Sequence, residues 1–97
     1  MANYNFPTTK KGDTFNGVTF EFPDSFDFTG AKIDLLVPNE EIISSVNGRI
    51  VLLSNNSFKV IPFNMNFRRA GTHYYSLKIT FANGIIKTYI TGKWQIL

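Results

Sequence analysis

The sequence predicts an all-β fold: an immunoglobulin-like antiparallel β-sandwich of about seven strands, with a small Greek-key barrel as the alternative. Two observations lead there. Apolar side chains recur at every second position in short runs, separated at roughly ten-residue intervals by Gly, Asn, Ser and Pro, and nothing sustains the 3.6-residue period of an amphipathic helix. Residues 71–97 hold the clearest hairpin, two alternating runs on either side of Asn83-Gly84. A two-residue type I′ loop there pairs Ala82 with Ile85, Phe81 with Ile86, Ile79 with Thr88 and Leu77 with Ile90. Leu77, Ile79, Phe81, Ile86 and Ile90 then turn inward, while Tyr74, Lys78, Lys87, Tyr89 and Lys93 share the outer face.

The other elements follow in order. Residues 1–11 mix Asn, Thr, Pro and Lys and read as an arm or a short edge strand, with Tyr4 and Phe6 tucked against a neighbour. Residues 14–22 alternate, with Val18, Phe20 and Phe22 on one face. Asn16-Gly17 interrupts them as a bulge or tight turn, and Pro23 ends them because it has no amide for a continuing ladder. Ala31, Ile33, Leu35 and Val37 line one face of the next strand, closed by Pro38, and Asn39-Glu40-Glu41 is the one candidate helical turn. Residues 42–45 and 49–54 read as two short strands joined at a second Asn-Gly signal, Asn47-Gly48. A polar turn at residues 54–57 leads into a strand with Phe58 and Val60 on one face, and residues 64–70 are irregular and basic. Gly92 marks a tight spot in the last strand, across which Trp94 and Ile96 keep the parity of Ile90.

Ninety-seven residues make one domain, 1–97, and ten Phe supply large inward side chains. With no cysteine the fold relies on neither disulfides nor thiolate metal sites, and a single histidine, His73, rules out a two-His site or a His-activated Cys. His73 falls beside Trp94 in the hairpin register and reads as structural. Asp24 and Asp27 with Glu40 and Glu41 form the nearest approach to a carboxylate cluster, without the spacing of a calcium loop. No glycine pattern opens a helix, so no phosphate cradle is expected. The chain therefore reads as no enzyme, with neither cofactor nor metal. Asn55-Asn56-Ser57 fits the glycosylation sequon but reads as an ordinary turn. No export signal or membrane span is visible, which excludes a membrane role.

Charge is split along the chain. All seven acidic residues precede residue 42, where only Lys10, Lys11 and Lys32 oppose them, and the remaining seven basic residues, Arg68 and Arg69 among them, follow. Acid–base pairing between neighbouring strands explains the split most simply; a two-poled particle whose basic side docks on an acidic partner is the sharper explanation. Nucleic acid is disfavoured because the basic residues are single and spaced, whereas Tyr74, Tyr89 and Trp94 leave carbohydrate open.

The sequence resembles small β-sandwich domains of tailed-phage and prophage virion proteins, in particular the amino-terminal domain of phage baseplate upper proteins. Four stretches carry the resemblance: Lys11-Gly12-Asp13-Thr14-Phe15, Phe28-Thr29-Gly30-Ala31-Lys32-Ile33, Gly71-Thr72-His73-Tyr74-Tyr75, and residues 83–94. Ser76 follows the paired tyrosines where such domains commonly carry an acid, and the chain stops at Leu97 where they continue into further domains. The resemblance thus implies a stand-alone virion component, a capsid decoration subunit or a small tail or baseplate protein, located in the virion and assembled in the host cytoplasm. It implies no catalytic residue. Its expected partners are other virion proteins and itself, met through a face comprising Tyr74, Lys78, Lys87, Tyr89, Lys93, Arg68 and Arg69.

Overall fold

The computed structural model of the chain describes residues 2–97, and the fold is all-β. In chain order the strands are β1 (Ala2–Asn3), β2 (Phe6–Thr9), β3 (Thr14–Phe15), β4 (Val18–Glu21), β5 (Lys32–Leu36), β6 (Ile43–Ser44), β7 (Ile50–Ser54), β8 (Ser57–Val60), β9 (Phe63–Asn64), β10 (Gly71–Thr80) and β11 (Ile86–Ile96). One sheet runs β1-β11-β10-β5-β6, with β2 also on β11; β4-β8-β7 form a second, and β3-β9 a short ribbon. Met1 lies outside the described residues.

The large sheet curls, and its concave side is filled by aromatic rings. Trp94 is fully buried and stacks on Phe6 at 4.3 Å, with Phe15 and Phe67 closing around it. Toward the other end Phe20, Phe22, Phe28 and Phe58 pack ring against ring and reach Phe81 and Tyr89 of the hairpin. Edge-to-face and offset pairs such as these add to the stabilisation that burial alone supplies.

The arm differs from a purely antiparallel sandwich. Both β1 and β2 run parallel to β11, Ala2 beside Ile90 and Phe6 beside Trp94, so the large sheet is mixed. Between them the arm bends in against Gly92, where an added Cβ would lie 1.8 Å from the Tyr4 carbonyl oxygen. Only a residue without a side chain admits that approach. The arm is held there by the Tyr4 N–H donating to the Thr91 carbonyl (3.0 Å), the Lys93 N–H donating to Asn5 Oδ1 (3.0 Å), and the Tyr75 hydroxyl donating to the Tyr4 carbonyl. The tight spot expected at Gly92 is thus the seat of the arm.

Three expectations are corrected. The β10–β11 loop holds three residues: the Gly84 N–H donates to the Phe81 carbonyl and the Phe81 N–H to the Ile85 carbonyl, Gly84 has φ +89°, and Asn83 has a negative φ. This is a type I turn followed by a left-handed glycine, in place of type I′. The extra loop residue shifts the pairing to Thr80–Ile86, Ile79–Lys87 and Lys78–Thr88; a bulge at Tyr89 then restores Leu77–Ile90, and His73 pairs with Trp94 as expected. Consequently Ile86 leaves the inward set and is 63 % exposed, while Leu77 and Ile79 are fully buried. Second, Asn47-Gly48 closes no hairpin: β6 pairs with β5 and β7 with β8, so this turn carries the chain from one sheet to the other. The Asn47 amide holds it, accepting from the Ser44 and Arg49 N–H groups and donating to the Ile42 carbonyl. Third, residues 39–41 form no helical turn; Asn39 takes φ 65° in a tight turn after Pro38.

A surface groove across the large sheet

Cross-strand register places four residues in one row on the outer face of the large sheet: Leu36, Ser76, Thr91 and Asn3, from β5, β10, β11 and β1. All four are short or half-covered, so the row is a trough. One step along the strands the next row rises: Tyr74 lies opposite Lys93, with Pro38 beyond β5 and Asn5 on the arm. On the other side Asp34 and Lys78 face each other. The trough and the Tyr74–Lys93 row line about 620 Å³ of open groove, floored by Ser76, Thr91 and the Gly92 backbone and closed at the β5 end by Val37, Pro38 and Ile42.

Tyr74 dominates this surface. It is 64 % exposed, although alternation in β10 sends its neighbour Tyr75 into the core. Lys93 Nζ sits 5.9 Å from its ring centroid, within cation–π range, and Arg69 and Tyr74 line a shallow depression together. The Arg69 carbonyl lies 2.8 Å from His73 Nε2, and the Arg68 N–H is bonded by both Glu40 carboxylate oxygens (2.9 and 3.0 Å), which anchors the basic loop beside Pro38. Beneath the groove burial, followed by the nearby Tyr4, pushes the Tyr75 phenol well above the ordinary tyrosine range.

The expected face is therefore only partly assembled. Tyr74, Lys78 and Lys93 share the outer surface, with Arg69 next to Tyr74 and Arg68 adjoining. Lys87 and Tyr89 do not belong to it. Lys87 pairs with Ile79 and so has inner-face parity at the hairpin's exposed end, and Tyr89, the bulged residue, packs against Phe22, Phe26 and Phe81. Trp94 lies wholly in the core, which removes it from any sugar-stacking set. The contributions of Asn3 and Asn5 were missed because β1 and β2 pair in parallel, and no turn in the sequence announces that.

Charge pairing between the two sequence halves is sparse. Among the described residues the ion pairs are Lys32–Asp34 at 3.7 Å, within the first half, and Arg49–Glu41 at 3.9 Å. Folding nonetheless interleaves the halves. Glu40 and Glu41 lie beside Arg68 and Arg49, and Asp24 meets Asn56 of the β7–β8 turn, so the carboxylates are not gathered at one pole. Among the described residues no three His, Asp or Glu side chains converge. Comparison with known proteins returns no matching family model, no matching curated protein and no matching solved structure.

Proposed function

We propose that the protein is a non-enzymatic structural component of a phage virion, a capsid decoration subunit or a small tail or baseplate protein, that docks on another virion protein through the surface around Tyr74. The observation that carries the docking reading is Tyr74 itself, a largely exposed ring beside Lys93 at the lip of a groove, with Arg69 lining the adjoining depression. Tyr and Arg are the residue types that dominate binding energy at protein interfaces, and a ring held on a regular strand loses little conformational freedom when it docks. The virion assignment rests on the sequence resemblance. The test is retention of purified capsid and tail proteins on the immobilised protein at low salt. Tyr74→Ala should weaken retention about 30-fold, as loss of a hot-spot side chain does, with the unfolding midpoint unchanged. Failure of every capsid and tail protein to bind would end the proposal.

A second reading, a carbohydrate-binding module, draws on the groove floor, where Ser76, Thr91 and Asn3 place hydroxyl and amide groups beside an aromatic ring. A glycan array with no hit removes it.

A further inference from the structure

Strand β7 is the open edge of the small sheet: it pairs with β8 and, among the described residues, with no strand on its other side. Its side chains are those of a covered strand. Val51, Leu52 and Leu53 are 45 %, 40 % and 56 % exposed in direct succession, and no charged residue occurs between Arg49 and Lys59. Edge strands ordinarily carry a charge or a proline against unwanted pairing, and β7 has neither.

The hydrogen-bonding groups on that edge can be assigned. The Ile61 N–H donates to the Arg49 carbonyl (3.0 Å), so Arg49 and, by alternation, Val51 direct their backbone groups toward β8. Ile50 and Leu52 therefore point theirs at the open side. The bulge at Leu53 ends the regular stretch, so the usable edge is Ile50–Leu52.

We propose that β7 pairs antiparallel with β7 of a second copy about a two-fold axis through Val51. This inference is independent of the docking surface around Tyr74. The segment is its own complement in that register. Ile50 lies opposite Leu52 of the second copy and Leu52 opposite its Ile50, so all four outward N–H and all four outward C=O groups are used in two bonded pairs. On the inner face Leu52, which has the parity of the buried Ile50 but is left uncovered at the rim of the core, comes to lie beside Ile50 of the second copy. On the outer face Val51 meets Val51. Charge permits the contact: Lys59 is opposite Val51 on β8, so the two copies of Lys59 stand three strand spacings apart, about 14 Å, beyond the Debye length at physiological salt. The pairing joins two three-stranded sheets into one of six strands. Only Ile50–Leu52 of each copy enters the ladder, a contact smaller than a standard specific interface, and the dimer is expected to be weak, in the micromolar to millimolar range.

The chain has no cysteine, so single introduced cysteines report the register directly. In this pairing two Val51 positions form a non-hydrogen-bonded pair with Cα atoms about 4.5 Å apart, inside the disulfide range, whereas two Leu53 positions stand about 13 Å apart along the strands. V51C should therefore cross-link to a covalent dimer under mild oxidation at least ten times faster than L53C, although Leu53 is the more exposed. Sedimentation equilibrium of the unmodified protein should show the mass rising from 11.0 kDa toward twice that with concentration, V51K should remain monomeric, and Y74A should dimerise like the parent. Equal cross-linking of V51C and L53C, or a monomer mass up to about 1 mM, overturns the proposal.

Discussion

Replacing Gly92 with alanine isolates the close approach of the arm. Gly92 has no positive φ, so a side chain is compatible with its backbone, and in an isolated strand alanine would be expected to stabilise slightly. In the fold the new methyl would overlap the Tyr4 carbonyl, and the separation must open from 1.8 Å to the 3.4 Å of ordinary contact. A shift of that size breaks the 3.0 Å bond from Tyr4 N–H to Thr91, weakens the bond from Tyr75 to the same carbonyl, and pulls Asn5 from the Lys93 N–H. Three such bonds at about 1 kcal/mol each give a loss of about 3 kcal/mol, or roughly 12–24 °C in melting temperature for a domain of this size. Urea and thermal unfolding followed by Trp94 fluorescence measure it. Gly12→Ala is the control: Gly12 has φ +87° and nothing within 4 Å of an added Cβ, so it should cost about 1 kcal/mol from backbone strain alone. Amide exchange at Tyr4 and Lys93 should accelerate in G92A and not in G12A. A G92A protein that melts within 1 °C of the parent would refute this seating of the arm.

Two further predictions concern the same ribbon. Tyr75→Phe strands the Tyr4 carbonyl and should cost about 1–2 kcal/mol at neutral pH. It should also flatten the alkaline limb of the stability curve: the unfolded tyrosine ionises near 10.0 while the folded phenol holds its proton, so the parent's stability falls as pH rises above 10, which chemical denaturation at pH 8–11 can follow. At the hairpin, Gly84→Ala should cost about 1–2 kcal/mol because its φ is positive, and Asn83→Ala, which loses only the Asn83 Oδ1 bond to the Ile85 N–H, less than about 1 kcal/mol. An equal or larger penalty at Asn83 in thermal melts would restore the type I′ turn.

The all-β class and most of the core were legible in the sequence because burial with a period of two leaves its mark on every strand: Ile33, Leu35, Phe58, Val60, Leu77 and Ile79 are buried as alternation requires. Two kinds of feature were not. Turn type depends on backbone angles that one dipeptide underdetermines, and a single additional loop residue moved Ile86 into solvent and Lys87 off the outer face. Long-range pairing leaves no local trace either. The Asn47-Gly48 turn looks like a hairpin but changes sheets, and the arm lies parallel to a strand nearly ninety residues away. The candidate surface inherits both limits: Tyr74, Lys78 and Lys93 follow from parity alone, whereas the trough between them and the arm requires the arm's position.

The placement of the arm also sets an order of events during synthesis. Residues 2–9 leave the ribosome well before the strand they lie on, residues 86–96, and the Leu97 N–H and carbonyl are bonded to Thr9 and Lys11. Until β11 has emerged the strand that the arm pairs with is missing, and the Phe6 and Tyr4 rings lack the cover that β11 gives them. Such sequence-distant closure makes for folding in milliseconds to seconds, and leaves the arm open to chaperones or proteases while the residues between it and β11 are made.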